Sequence, residues 1–491
     1  MVIGGLDIGS TGAKITVVDE RGTIVHTGYQ DYHVSRIAGT HEIDAIEIWN
    51  TVKKLLYDAS SVVPNFEAVG ITSFGESFVL VGDNEEVVHP TMMYTDPRGD
   101  TQAAELALKL GADIIAEISG TMPHPMFTLP KLMWIRQNRP EIYAKTRYIF
   151  LIGDFIVYML TEERVTDYSL ASRTMGFDIR KKTWNETIFD AAEIKVDLFA
   201  KPVPSGTLAG TIRPALAAEL GLPDNFHVII CAHDQIAATI GSNVLRSGIA
   251  ANGAGTVECI TPVFANIPDD GALQKANFSV VSFPENQYCC YAFCFSGGSL
   301  ISWFINQCAS GQAKAEGDNI YRLLENAAPD RPTGILLLPH FAGAATPYMD
   351  TGSKGAIIGL ELSHTTADIY RAVMEGISYE MMLNMERLAE VGVTIRSLYA
   401  SGGCARSAVW LQMKADIFGV PVTRLSLDEA GTFGGIMLTG RAVGAFDSLN
   451  QGAELLVKPV HTYEPRPEMH EQYKQHYERY RKLYNSVRSL M

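Results

Sequence analysis

The chain has 491 residues, 47% of them hydrophobic and 19% charged, and carries 40 Lys and Arg against 55 Asp and Glu for a formal charge of −15. At roughly 100 to 200 residues per domain this excludes a single small module and implies two to four domains, in a composition far from disordered, fibrous or membrane classes. The acidic balance argues against a nucleic-acid partner but not against a small phosphorylated ligand, because backbone N–H groups and a metal can supply local positive potential.

The opening VIGGLDIGSTGAKITVVDERGTIV reads as an apolar strand, a Gly/Ser/Thr corner, a second strand at Lys14–Asp19, a turn at Glu20–Gly22 and a third strand. Strands near Ala68–Thr72 and Phe78–Val81 follow, then helices around Ala103–Leu110 and Leu129–Asn138, the latter stopped before Pro140. A further strand, His227–Ala232, runs into His233-Asp234 and a helical stretch that breaks by Gly248, so a domain boundary is expected near Ser242–Gly248, dividing the chain into 1–245 and 246–491. The second half restarts as strand, Gly/Thr corner and strand in GIAANGAGTVECITPVFANIP, with a longer loop at Pro268-Asp269-Asp270-Gly271. Beyond it come a strand at Ile335–Pro339, a long helix over Thr366–Val391, a strand at Ser397–Ser401, and helices after Arg406 and Gly431. In the C-terminal helical tail Tyr473, Tyr477, Tyr480 and Tyr484 recur at helical spacing as a docking stripe, for this chain or for a partner.

The seven cysteines, including adjacent Cys289 and Cys290, have no zinc-like or C-x-x-C spacing and read as reduced thiols. No basic segment precedes the short apolar run Val2–Leu6, and no apolar stretch approaches about 18 residues, so the expected location is the cytoplasm, away from membrane.

Three corners carry residues suited to a nucleotide. In Asp7-Ile8-Gly9-Ser10-Thr11-Gly12 the glycines admit close backbone approach, the hydroxyls add donors, and Asp7 projects from the strand end toward a metal-bound water. The same residues also make an ordinary hairpin turn. Asn252-Gly253-Ala254-Gly255-Thr256 repeats the pattern, and Ser401-Gly402-Gly403-Cys404 leaves room for a flat group such as adenine, or for tight helix packing. Asp234 stands where either an N-cap or a cleft-facing carboxylate belongs, and His233 beside it reads as packing. The chain lacks the Walker, zincin, serine-esterase and dinucleotide-binding signatures.

Over nearly its whole length the chain resembles the FGGY family of carbohydrate kinases, within the actin, hexokinase and heat-shock ATPase superfamily. The resemblance rests on MFTLPKLMWIRQN (Met126–Asn138) and GAIIGLELSHTTADIYRAVMEG (Gly355–Gly376), with HPTMMYTDPR (His89–Arg98) and SGGCARSAVWLQMKADIFGVPV similar to further family segments. It implies an α/β fold of two ribonuclease-H-like (actin-like ATPase) domains, each a five-stranded mixed sheet flanked by helices, around an interdomain cleft. It further implies ATP and Mg²⁺, with Asp7 and Asp234 near the metal. Gly9, Ser10, Thr11 and Gly12 with Lys14, and Gly253, Gly255 and Thr256, would hold phosphates, and Gly402 and Gly403 would hold adenosine. Asp234 becomes the general base, and Gly75, Glu76, Ser77, Tyr94 and Asp96 the acceptor site. The implied reaction is phosphorylation of a small carbohydrate, a ketopentose or polyol, at a terminal hydroxyl. Another acceptor (glycerol, gluconate or an autoinducer), a nucleotide-dependent switch and a binding scaffold are the alternatives, with a homodimer left open.

The sequence also departs from the family. The Met-His-Gly of xylulokinases falls on Gly75-Glu76-Ser77, where Glu76 matches the acid of the Arg-Glu pair of glycerol kinases but Gly75 replaces the arginine. Met126 and Tyr94 replace an expected tyrosine and tryptophan, and Ala344-Ala345 stands for Glu-Arg.

Overall fold

The computed structural model describes residues 1–37, 39–268, 271–317, 319–427 and 429–491; Asp269 and Asp270 of the expected loop lie outside them. The opening three strands are β1 (Val2–Ile8), β2 (Gly12–Val18) and β3 (Ile24–Asp31), an antiparallel meander as the sequence predicts. Helix α1 (Ala45–Val62) starts at an Asp44 cap whose carboxylate accepts from Ile46 N at 2.8 Å. It buries Ile48, Val52, Leu55, Leu56 and Ala59 against the sheet, at helical spacing. Strand β4 (Phe66–Ser73) pairs parallel with β1, β6 (His227–His233) pairs parallel with β4, and β5 (Thr207–Thr211) lies antiparallel on the edge. The sheet order is β5-β6-β4-β1-β2-β3. Its central strands read as near-continuous apolar runs because helices cover both faces.

After α2 (Asp234–Gly241) the second sheet begins with β7 (Ile249–Ala254) and β8 (Glu258–Phe264) and adds the short strands β9 (Val280–Phe283), β10 (Gln287–Cys290) and β11 (Ala292–Cys294). Helix α3 (Thr366–Glu390) precedes β12 (Ser397–Ser401), and α4 (Ala408–Phe418) precedes β13 (Val422–Leu425). Helix α5 (Ala430–Ala442), β14 (Pro459–Tyr463) and α6 (Pro467–Tyr480) complete the chain's main framework. The order β9-β10-β8-β7-β12-β13-β14, with β11 also on β8, makes this sheet eight-stranded among the described residues and the first six-stranded. The expected five-stranded sheets are thus corrected upward by short edge strands whose few residues carry little periodicity.

Two features could not be placed from sequence. Helix α5, near the end of the chain, covers the first sheet: Thr432 Oγ1 lies 3.0 Å from Thr16 Oγ1 on β2, and Cys231 Sγ on β6 lies 3.6 Å from the Gly435 carbonyl. One apolar cluster accordingly mixes both halves, with Ile3, Ile229 and Ile236 against Phe433 and Ile436. Helix α5 also crosses α2 backbone to backbone. A Cβ on Gly434 would lie 1.8 Å from the Ala237 carbonyl oxygen, and one on Gly241 would lie 1.9 Å from the Ala430 carbonyl oxygen. Gly434→Ala is therefore expected to cost about 3 kcal/mol, the upper end of overpacking, read as a lowered urea midpoint. Gly311→Ala, at a helical glycine with nothing within 4 Å, is the control and leaves the midpoint unchanged or raises it.

The tyrosine stripe docks on its own chain. Arg371 Nη2 donates to Tyr473 at 2.8 Å, Tyr477 donates to Glu386 at 2.6 Å, Tyr480 donates to Glu380, and Tyr484 donates to Asp350 at 2.6 Å. All seven cysteines are free thiols. Among the described residues no helix is long and apolar enough to cross a membrane.

Candidate active site

In an open α/β sheet the ligand crevice lies beyond the carboxyl ends of the parallel strands. Here Ile8 of β1 pairs with Ser73 of β4, and His233 of β6 pairs with the same Ser73. This register sets three acids, Asp7, Glu76 and Asp234, along one edge. In the second sheet Gly253 of β7 pairs with Ser401 of β12, so the Gly253–Thr256 corner and the Gly402-Gly403 turn also share an edge.

Asp7 Oδ1 is buried without a hydrogen-bond partner. Burial first, and the Glu429 carboxylate after it, push its pKa up to about 6, against the opposing pull of Lys14. A Cβ on Gly431 would come within 2.4 Å of Asp7 Oδ2, so the glycine at the start of α5 keeps the carboxylate's surroundings open. Lys14 itself, expected at phosphate, donates to both Glu429 oxygens at 2.8 and 2.7 Å. The first corner closes through Gly9 N donating to the Gly12 carbonyl at 2.9 Å. Its Gly9 carbonyl accepts from the Tyr32 hydroxyl, and Ser10 pairs with the Tyr94 hydroxyl, whose pKa burial raises. Thr11 is exposed.

Asp234 opens α2 but is not its N-cap, a position held by His233. Its Oδ1 accepts from the adjacent Gln235 N at 2.6 Å and lies 3.2 Å from His233 Nε2, while Oδ2 has no partner among the described residues. The side chain remains 25% exposed, enough for a ligand to reach it. Burial, then Asp7, then Glu76, raise its pKa well above the usual carboxylate range. His233 is more than the packing residue expected. Its Nδ1 lies 3.1 Å from the Tyr291 hydroxyl of the second sheet, and burial with the nearby Arg173 charge keeps the ring neutral.

Gly75-Glu76-Ser77 forms a tight turn in which Ser77 N donates to the Gly75 carbonyl at 2.7 Å and Glu76 adopts φ +61°. Such backbone strain persists only where surrounding contacts enforce it, and it clusters at functional sites. The missing arginine of the Arg-Glu pair is supplied from elsewhere: Arg173 Nε donates to Glu76 Oε1 at 2.6 Å, with Nη2 on the same oxygen. Arg173 and His233 fill the space beside residue 75, where a Cβ would meet His233 Cδ2 at 2.8 Å and Arg173 Cγ at 3.1 Å. Glycine at 75 follows from that crowding. Arg173 Nη1 is buried with no partner, and its guanidinium packs over the rings of Phe127 and Tyr291.

Two acceptor-site expectations need correction. Ser77 is 0% exposed, sealed from the crevice. Asp96 has all its acceptor positions taken, Oδ1 by Arg98 N (3.0 Å) and Nε (2.8 Å), Oδ2 by His41 N (2.8 Å) and Arg98 Nη2 (2.6 Å). A carboxylate has about four such positions, so Asp96 anchors its loop and has none to spare. Glu76, read alternatively as an exposed loop acid, is 4% exposed.

On the second edge Gly253, Gly255 and Thr256 are exposed around a buried Ala254, with open space at Gly253. It is clasped by Gly298 N and Ser299 N, which donate to the Gly255 and Thr256 carbonyls at 2.8 and 3.1 Å. Gly402, at φ +92°, seats its Cα so near the corner that a Cβ would lie 2.9 Å from the Ala254 carbonyl, while Gly403 faces open space. Beneath, Lys414 Nζ donates to Asn252 at 2.9 Å and to Glu258. Ala344 and Ala345 are buried.

Arg173, His233 and Tyr291 are the site residues that sequence reasoning missed or misread. Among the described residues no group of three or more His, Cys, Asp or Glu side chains forms a metal cluster. The donor set instead suits Mg²⁺, which keeps several waters and takes one or two carboxylates plus substrate phosphates.

The two halves also match known proteins in order. Residues 2–241 match the N-terminal domain, and residues 263–443 the C-terminal domain, of the FGGY family of carbohydrate kinases. The chain is 29% identical over 504 residues to a xylulose kinase of Staphylococcus epidermidis, covering 100% of this chain and 97% of the relative. It is 28% identical over 484 residues to a gluconokinase of Bacillus licheniformis, covering 96% and 93%. Its fold is similar to xylulose kinase from Lactobacillus acidophilus (TM-score 0.91, 22% identity, 99% and 98% covered) and to glycerol kinase from Plasmodium falciparum (TM-score 0.86, 20% identity, 97% of each chain). With both domain models matched along its length, the chain belongs to the FGGY family of carbohydrate kinases and is an ATP-dependent sugar kinase.

Proposed function

We propose that this kinase phosphorylates a terminal hydroxyl of a small neutral acceptor, a ketopentose such as xylulose or a related polyol, with Asp234 as general base. The observation that carries the reading is the shared register of the β1, β4 and β6 ends, which brings Asp7, Glu76 and Asp234 to one edge, with Asp234 Oδ2 free of partners among the described residues. In phosphoryl transfer the transition state is loose, so positioning and charge neutralisation dominate over covalent work. Asp234 Oδ2 orients the acceptor hydroxyl and takes its proton late. Glu76 accepts hydrogen bonds from neighbouring hydroxyls, and Arg173 Nη1 donates to an acceptor oxygen. The Gly9–Gly12 and Gly253–Thr256 corners hold the phosphates, and Gly402 with Gly403 the adenosine. Asp7 and Asp234 would hold Mg²⁺, which would supply charge neutralisation to the phosphates.

The test is ADP release over pentuloses, polyols and aldonates. Turnover on a pentulose or polyol supports the reading, turnover confined to aldonates overturns it, and release indifferent to any sugar indicates a nucleotide switch. The aldonate alternative has its own support in the unpaired Arg173 Nη1 and the gluconokinase relative.

The Asp7 proton provides a separate check. With its folded pKa raised to about 6, the ligand-free fold favours the protonated acid, so this group's contribution to stability is present below the unfolded value and lost as pH rises through 6. A cation binds the ionised form instead. The Tm increase produced by Mg²⁺ with ADP is expected to be small near pH 5 and to grow through pH 6, and in Asp7→Asn the rise through pH 6 is expected to be smaller.

A further inference from the structure

Beneath the second glycine corner lies a charged cluster outside the acceptor site. Asn252 and Glu258 flank the corner on β7 and β8, six residues apart, and the register Asn252↔Ile260 and Ala254↔Glu258 turns both side chains to one face of the sheet. Helix α4 sends Lys414 onto that face, and all three side chains are 0% exposed. Lys414 Nζ donates to Asn252 Oδ1 at 2.9 Å and to Glu258 Oε1, and Asn252 Nδ2 donates to the same Glu258 oxygen at 2.6 Å. The Trp410 ring, one turn earlier on α4, has its centroid 4.5 Å from Nζ. Glu258 Oε2 is left without a partner. A buried ion pair adds little stability over apolar residues of the same size, because desolvation offsets the attraction. What it adds is direction, since one ammonium holds both stems of the corner through charge-assisted hydrogen bonds.

The helix that carries Lys414 starts at the other nucleotide element. The Gly402-Gly403 turn leads into α4, whose Ser407 cap accepts from Trp410 N at 3.0 Å, and Trp410 Nε1 donates to Ser378 of α3 at 3.1 Å. Corner and turn thus meet directly at Gly402 and Ala254 and are joined a second time, underneath, through Lys414. We propose that Lys414, Glu258 and Asn252 are positioning residues for the nucleotide: a buried pin that fixes the spacing between the corner assigned to phosphate and the turn assigned to adenosine. The proposal rests on the reading of those two elements as the nucleotide site. A nucleotide has to meet both at once, so a preset spacing removes the ordering penalty of bringing them together on binding. The acceptor, held at the edge of the first sheet, draws nothing from the pin.

The experiment measures ADP affinity by calorimetry with Mg²⁺, steady-state KM for MgATP and for the best acceptor, and the ligand-free melting midpoint, on the full chain and three variants. Lys414→Met/Glu258→Gln removes both charges at similar size, and its midpoint is expected to stay near that of the unmodified chain. Its ADP Kd and MgATP KM are expected to rise about tenfold, the scale of one or two groups that must now be ordered on binding, with acceptor KM changed less than about twofold. Asn252→Ala keeps the Lys414–Glu258 pair and frees only the β7 stem, and is expected to raise ADP Kd about threefold; it decides the matter should the double variant lose its fold. An ADP Kd within about twofold of the unmodified value in a variant that keeps its midpoint overturns the pin, as does a parallel rise of acceptor and MgATP KM, the mark of general loosening. Gly253→Leu tests the underlying reading. A Cβ there meets nothing within 4 Å, so the fold accepts the side chain, while phosphate at the corner is blocked. Unchanged ADP affinity in Gly253→Leu removes the corner from the nucleotide site; lost affinity there, beside unchanged affinity in the folded double variant, removes the pin alone.

Discussion

Asp234→Asn is expected to lower acceptor-dependent kcat by about 10³-fold, within the range for removing a general base, with ADP affinity by calorimetry little changed. Asparagine keeps the size and the capacity to accept from Gln235 N, so the α2 start is preserved, but it cannot take a proton from the acceptor. The same substitution is expected to raise stability. Burial and the charges of Asp7 and Glu76 raise the Asp234 pKa well above the carboxylate range, so at neutral pH the ionised residue is penalised in the fold. The penalty is absent below the unfolded pKa and sets in as pH rises through the raised value. Tm of Asp234→Asn should therefore exceed that of the unmodified chain near pH 8 and converge with it near pH 4. A gain in stability bought with activity is the usual signature of a strained functional group; equal turnover in the two proteins would remove Asp234 from the chemistry.

Arg173→Met is expected to be the most damaging single change to both stability and acceptor binding. Arg173 and Glu76 side chains are each 6% exposed and face each other. Removing the guanidinium strands a buried carboxylate, at about 3–5 kcal/mol. Arg173→Lys is expected to recover little, because one ammonium cannot reproduce the Nε and Nη2 contacts on Oε1 while also presenting Nη1. Arg173→Met/Glu76→Gln should recover most of the stability and none of the acceptor affinity, since it removes the charge imbalance together with the recognition groups. Urea denaturation and acceptor KM on the same four proteins separate these effects; full acceptor affinity in the double variant would show that the pair is structural.

What the sequence made legible was whatever local pattern controls. Strand ends at Asp7 and His233, the glycine corners and the helices beginning near Thr366 and Ala408 follow from short-range periodicity and turn chemistry. The tyrosine stripe was equally clear because four aromatics at helical spacing need a surface. Partnerships between distant residues were not legible. Gly75 read as a lost arginine, when the guanidinium arrives from Arg173 through the fold, with no spacing rule connecting it to Glu76. Lys14 looked free for phosphate until the start of α5 brought Glu429 to it. Asp96 looked like a ligand because its motif says nothing of the His41 amide that, with Arg98, saturates it. Sheet size was underestimated for a different reason: strands such as β11, three residues long, are held by their neighbours and not by their own alternation.

The crossing of α2 and α5 acts as an axle. Backbone touches backbone there through Gly434 and Gly241, and any relative turn of the two sheets about that contact displaces each atom in proportion to its distance from it. Asp234 lies in the first turn of one of the crossed helices, so a rotation about that contact would displace it little. On this geometry the proposed proton acceptor sits beside the crossing.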